Sequence, residues 1–312
     1  PVDAIDDERL RLIFTCCHPA LAIQARVALT LRMVAGLTVG EIARAFLVQE
    51  GTMGQRITRA KAKIKAAPIP YRVPAAEDLP ARICGVLAVL YLVFNEGYLA
   101  TGPDPDPVRH DLTAEAIRLT RLIHALLPQD GETAGLLALM LLTEARRTAR
   151  VSASGDLVTL VEQDRGSWDA ALIAEGHRLV RERLATGVAP RHYQILAAIS
   201  AVHTSARDVR DTDWSQVLAL YDQLVRIDPS PIVALTRAVA VAEIDGPDVA
   251  LAAVDRLEDT LASYHLYHAT RADLLHRLGR SQQARSAYNQ AIELAGNTAE
   301  IAYLTRRRNQ LG

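Results

Sequence analysis

The sequence of 312 residues is short of several things, and each shortage excludes something. There are three cysteines, Cys16, Cys17 and Cys84. Three are too few for a disulfide framework, and adjacent Cys16 and Cys17 do not readily bridge each other, so a reducing cytoplasm is the expected compartment. Aromatic residues make up 4% of the chain, and β-branched runs are scarce beside abundant alanine and leucine. That composition disfavours sheet and favours packed helices. The formal net charge is −1, which by itself argues for neither a nucleic-acid nor a membrane partner. Long hydrophobic runs are missing too. The longest, Ile83 to Phe94, has 12 residues and follows Arg82; it is well short of a membrane span and reads as a buried helix. No secretory signal, P-loop, nucleophile elbow, H-E-x-x-H pair or dinucleotide fingerprint is visible. The expectation is therefore a binding protein with no catalytic residue, no cofactor and no membrane partner.

What is present is helical spacing. Half of the residues are hydrophobic, and they recur at i, i+3, i+4 and i+7 nearly everywhere, with Pro and Gly at the breaks, so the predicted fold class is all-α. Pro68 to Pro80 holds four prolines in 13 residues, a density that no helix continues through. Gly102 to Pro107 marks a second break and Gly187 to Pro190 a third. These divide the chain into a basic N-terminal unit (1–67), a linker (68–80), an aperiodic helical middle (81–187) and a repeat region (188–312). Charge follows the same division. Residues 1–75 carry 11 Lys and Arg against 6 Asp and Glu, and the remainder carries 24 against 30.

The repeat region has a countable period. Leu235, Ala238, Val241, Ile244, Ala250, Ala253 and Leu257 map, 34 residues later, onto Ala269, Ala272, Leu275, Leu278, Ala284, Ala287 and Ala291. Paired helices at that period are similar to tetratricopeptide repeats, in which each hairpin buries its face by stacking on the next. Hairpins are predicted near 191–227, 231–259 and 264–294, and a last helix from Thr298 to Gln310 carries Arg306, Arg307 and Arg308 as a polar cap.

Five cations and no carboxylate lie between Gly51 and Lys65. Thr38 and Glu41 match a capping box, and Thr52 with Gln55 resembles its glutamine form, so two helix starts stand one short helix apart. Val39, Ile42, Ala43 and Phe46 form one apolar face, and Met53, Ile57, Ala60 and Ile64 form another. Packed around the LVQEG turn, these faces predict a helix-turn-helix. Its second helix then presents Thr52, Gln55, Arg56, Arg59 and Lys63 outward. Cations there suit phosphates, Gln55 offers a bidentate amide to adenine, and Arg59 reaches guanine O6 and N7. A cationic helix face is ordinarily just solvated; the paired starts, complementary faces and short turn favour DNA.

At this point a family resemblance emerges. From Asp7 to Lys65, above all in ALTLRMVAGLTVGEIARAFLVQEGTMGQRITRAKAKI, the sequence resembles region 4 of the extracytoplasmic-function sigma factors of bacterial RNA polymerase. TMGQRITRAKAKI, IPYRVP, LYLVFNEGY and QDRGSWDAALIAEG look like the subgroup with a long tetratricopeptide-like C-terminal extension. The resemblance implies docking of region 4 in the −35 promoter element, with core RNA polymerase as partner. It implies a phosphate contact for Arg32 and base-facing roles for Gln55 and Arg59; Arg56 and Lys63 fall to phosphates by helical geometry. Gly40 and Gly54 stand where the family carries longer polar side chains, which implies weak autonomous −35 binding. Region 2 would precede region 4, and nothing before Asp7 supplies it, so the expectation is a product truncated or proteolysed upstream.

Several other features have simpler readings. Cys16, Cys17 and His18 lack the spacing of a zinc site. His265 and His268 suit surface or inter-repeat contacts. Asn95, Glu96, Glu115, Glu144, Asp164 and Asp169 suit ion pairing with Arg118, Arg146, Arg147 and Arg165 rather than catalysis, and Trp168 and Trp214 read as core anchors. The repeats are expected to hold a peptide or protein ligand, or the N-terminal region of the same chain. A second reading stays open: an interaction scaffold built on repeats, with a vestigial helix-turn-helix.

Overall fold

The computed structural model describes residues 8–46, 48–67, 69–75, 77–99, 109–152 and 157–311. The expected break from Gly102 to Pro107 lies outside them. The described regular structure is helical throughout, apart from one isolated antiparallel bridge between Val151 and Leu157. The all-α expectation holds. The chain divides into two compact units, Pro1–Met140 and Leu141–Gly312, with the boundary inside one helix.

The first unit contains α1 (Glu8–Cys16), α2 (Ile23–Met33), α3 (Val39–Ala45), α4 (Glu50–Ala66), α5 (Leu79–Tyr98), α6 (His110–Leu126) and most of α7 (Gly131–Glu144). Leu10, Ile13, Phe14, Val27, Leu31, Ile42 and Met53 are buried on the first four helices. The run expected to form a buried helix does so: Ile83, Val86, Leu87, Leu90, Val93 and Phe94 of α5 are all inside. This helix packs against α1 and α2 on one side and α6 on another. The Arg82 guanidinium donates to the Phe14 carbonyl at 2.7 Å, tying α5 to the end of α1. Near its own end α5 approaches the start of α6 closely at Gly97. A Cβ there would lie 2.7 Å from the Arg109 carbonyl and 2.8 Å from Leu112 Cβ, so only glycine permits the contact.

The second unit begins inside α7 and continues through α8 (Ala170–Leu184), α9 (His192–Ser205), α10 (Trp214–Ile227), α11 (Pro231–Ile244), α12 (Pro247–Asp255), α13 (Glu258–Leu261), α14 (His265–Arg277), α15 (Ser281–Leu294) and α16 (Thr298–Asn309). Consecutive helices α9 and α10, α11 and α12, and α14 and α15 form hairpins, and each hairpin stacks on the next. Good N-caps set several starts: Asp213 before α10, Ser230 before α11 and Asn297 before α16 accept backbone N–H groups. The core runs through Leu235, Ala238, Val241, Ala250, Tyr267, Ala272, Leu275, Ala284, Ala287, Tyr288 and Ala291. Small residues recur where helices approach, as the period of 34 requires. Two details differ from the expected pattern. Ile244 is 42% exposed, because α11 ends there and the chain reverses at Gly246, whose φ is 96°. The return helix of the middle hairpin also breaks after Asp255 and resumes as the short α13.

The same period appears in ion pairs. Arg277 bonds Glu243 and Arg307 bonds Asp273, each at 2.6 Å and each across 34 residues. Equivalent positions of successive hairpins are thus joined, and Arg306 stacks over Tyr303 beside them. The helix expected as a polar cap therefore also packs, burying Leu304. Among the described residues no helix is long and apolar enough to cross a membrane.

Candidate nucleic-acid interface

The first helix of the expected helix-turn-helix begins at a complete capping box. The Thr38 N–H donates to Glu41 Oε2 at 2.6 Å, and the Glu41 N–H donates to Thr38 Oγ1 at 3.2 Å. Two of the open donors at the start of α3 are satisfied reciprocally. The other oxygen of Glu41 accepts from Arg109 Nη1 at 3.2 Å. Arg109 also donates to both carboxylate oxygens of Asp111, at 3.0 and 2.8 Å, and these bonds hold the Asp111 carboxyl below its ordinary range. Arg32 is exposed near the end of α2, where its Nη1 donates to the Leu37 carbonyl at 2.9 Å. One of its donors thus braces the turn that leads into α3.

The second helix starts earlier than the Thr52–Gln55 pattern indicates. Gln49 is the N-cap of α4, and the Met53 N–H already donates to the Gln49 carbonyl at 3.1 Å. Thr52 therefore lies inside the first turn and is exposed. No side-chain cap bond forms at this end; Glu50 in the first turn complements the helix dipole. Met53, Ile57 and Ala60 are buried, and Ile64 is half-buried. The opposing face is as expected, with Ile42 and Ala43 buried and Val39 and Phe46 half-buried.

With that face packed inward, one stripe of α4 lines a groove of about 350 Å³. Thr52, Gln55, Arg56, Arg59 and Lys63 all line it, opposite Leu21, Ala22 and Ala25 at the start of α2. The structure thus brings together five of the six expected site residues, and Arg32 stands apart from them. The small side chains of Ala22 and Ala25 keep the facing wall low, a contribution that the helix-turn-helix pattern alone does not reveal. Arg56 has a second anchor: its guanidinium lies 5.8 Å from the centroid of the Phe46 ring. Among the described residues, Arg56, Arg59, Lys61, Lys63 and Lys65 form no ion pair. Glu50 is the one carboxylate on α4 and sits in its first turn, so the unpaired cations beyond it keep most of their field for an external anion.

The remaining candidates are occupied locally. Cys16 and Cys17 are buried, and burial pushes both thiols up to about 12, so they stay protonated and inert; Cys84 is exposed. Glu115 pairs with Arg118 at 2.9 Å and with Arg9 at 2.8 Å, and Glu144 pairs with Arg147 at 3.0 Å. Asp164 and Asp169 depart from the expected ion pairing and instead accept backbone N–H groups as helix caps. Arg165 is spent on the carbonyls of His203 and Ala206, both at 2.7 Å, and lies over Trp168. Trp168 is buried, whereas Trp214 is only half-buried, edge-on to His203. His268 is buried against the Ala262 carbonyl, and His265 faces Glu300 at 3.4 Å. In the hairpin array a channel of about 740 Å³ runs between α10, α11 and α14, and the chain's own Thr159, Leu160 and Val161 form part of its wall.

Comparison with known proteins agrees with this geometry. Residues 11–64 match the family described as Sigma-70, region 4. They span most of α1, all of α2 and α3, and nearly all of α4. Residues 82–184 match a family of unknown function, DUF6596. An uncharacterized protein of Rhizobium meliloti (strain 1021) is 46% identical over 305 residues, covering 98% of this chain and 72% of its own length. At that identity and coverage the chain belongs to the family of the Rhizobium protein, and its matched N-terminal segment makes it sigma-factor-like.

Proposed function

We propose that the protein is a sigma factor of the extracytoplasmic-function type, acting in the cytoplasm by binding rather than by bond chemistry. In this reading α4 enters the major groove at the −35 promoter element. Gln55 and Arg59 read base edges, while Arg32, Thr52, Arg56 and Lys63 hold the phosphate backbone, and core RNA polymerase is the protein partner. The hairpins form a tetratricopeptide-like extension that holds a peptide or protein ligand and so gates initiation.

One observation carries the DNA reading. Thr52, Gln55, Arg56, Arg59 and Lys63 share a single open groove, and the cations among them have no carboxylate partner in the described residues. Unpaired like charges on one helix repel one another, so such a face gains from an external anion.

A binding titration with duplex DNA over a range of salt tests the reading. The logarithm of affinity should fall linearly with the logarithm of salt, and each phosphate contact removed should reduce the slope by about 0.9. Changing Gln55 and Arg59 to alanine together should abolish preference for promoter over random duplex. A salt-independent or absent interaction would leave the scaffold reading in its place.

A further inference from the structure

The start of α6 reaches the helix-turn-helix through Arg109. Arg109 sits at the N-cap of α6, and its backbone N–H donates to the Gly97 carbonyl at 2.8 Å. The missing side chain at Gly97 lets the two helices close to that distance. From this fixed point the guanidinium reaches Glu41 on α3, 68 residues earlier. Glu41 is then shared, with one oxygen on the Thr38 N–H and the other on Arg109. In a helix-turn-helix the first helix crosses the phosphate backbone. Glu41 places a carboxylate, 31% exposed, at the start of that helix. Left uncompensated, it repels phosphate.

We propose that Arg109 is a positioning residue for DNA binding: it neutralises Glu41 and holds the start of α3 in register, so that helices α5 and α6 govern how firmly the helix-turn-helix grips the duplex. This inference rests on the DNA reading above. The coupling is local and mechanical. Gly97 fixes Arg109, Arg109 fixes Glu41, and Glu41 fixes the first turn of α3. Asp111 keeps the guanidinium in place by accepting hydrogen bonds from its Nε and Nη2. A shift of the start of α6 away from α5 withdraws the cation from α3.

The experiment uses full-length protein and fluorescence anisotropy with promoter and random duplexes. Arg109→Ala should weaken both duplexes by the same factor, about five- to tenfold, because the charge concerned reads phosphate and no base. Adding Glu41→Gln should restore most of that loss: the amide oxygen still accepts from Thr38, and the repelling charge is gone. A purely structural role predicts the opposite, with the double variant no better than the single. Arg109→Lys should recover only part, since one ammonium does not span Glu41 and Asp111 as the planar guanidinium does. Amide hydrogen exchange at Thr38 and Glu41, read on the same proteins, should quicken in Arg109→Ala. Wild-type binding with Arg109→Ala unchanged in affinity overturns this inference alone, as does a double variant without recovery. A wild-type protein that binds no duplex at any salt overturns the DNA reading together with it.

Discussion

Helix α4 and the hairpins treat their cations in opposite ways. In the hairpins Arg237, Arg271, Arg277 and Arg307 each sit within 2.7 Å of a carboxylate oxygen. On α4 Arg56, Arg59, Lys61, Lys63 and Lys65 have no such neighbour among the described residues. Both regions are helical and both are rich in cations, so composition does not separate them. What separates them is where the counter-charge comes from. The hairpins carry theirs on another helix of the array, and α4 leaves its own to be supplied from outside. Four experiments probe that contrast.

The largest effect should come from placing a counter-charge within the cationic stripe of α4. Gln55→Glu places a carboxylate beside Arg56 and one turn before Arg59, removes an amide that suits adenine and repels phosphate. Promoter affinity should fall about a hundredfold in a filter-binding assay, the sum of a lost base contact and a lost phosphate contact. A change below threefold would mean that this face does not meet DNA.

Acid should act on the other unit. Burial, then Arg146 and Arg165, lower the His203 pKa from its ordinary value to about 4. Between pH 6.5 and 4 the unfolded chain takes up a proton that the folded ring refuses, so stability drops as pH falls through that window and is unaffected above it. The loss should be roughly 2 kcal/mol after allowance for partial exposure. Urea unfolding at pH 7 and pH 4.5 measures it. His203→Phe, which retains the edge contact with Trp214, should lose that much less on acidification.

A smaller effect follows from breaking one pair of the hairpin ladder. Arg277→Leu removes its bonds to Glu243 and to the Ala242 carbonyl. These are partly exposed contacts, so about 1 kcal/mol of stability should go. A double-mutant cycle with Glu243→Gln should show coupling of about 0.5 kcal/mol.

The smallest response should be that of the hairpins to salt. Raising the salt concentration to about 1 M shortens the screening length to about 3 Å and should eliminate DNA binding. It should move the unfolding free energy by less than about 0.5 kcal/mol, because close pairs in partly buried positions are screened weakly. Equal sensitivity of the two would erase the contrast.

Much of this was readable from residue order because it depends on local periodicity. The capping box at Thr38, the stripe of Gln55, Arg56, Arg59 and Lys63, and the small residues at a period of 34 are all set by helix geometry. Spacing alone does not yield contacts made by tertiary approach. Glu41 is legible as a capping residue, but its second partner is not: Arg109 lies 68 residues later and does not stand out in its own segment. The start of α4 precedes Thr52 for a related reason: Met53 is fully buried, and with Gln49 as the N-cap its backbone N–H makes the first intrahelical bond. The carboxylates at Asp164 and Asp169 serve as caps, since short turns and helix starts there leave N–H groups open within reach. Leu160 and Val161 line the channel from a segment with no repeat character at all.

The seam between α5 and the pair α1 and α2 bears on anyone who wishes to isolate the DNA-reading segment. Cleavage between 66 and 79 follows the proline-rich stretch, but it strips α5 from the flanks of α1 and α2. The excised fragment would present apolar side chains to water and tend to self-associate. A weak or aggregated fragment would then report the wound rather than the native affinity, and the shortest piece suited to biochemical work retains α5 and α6.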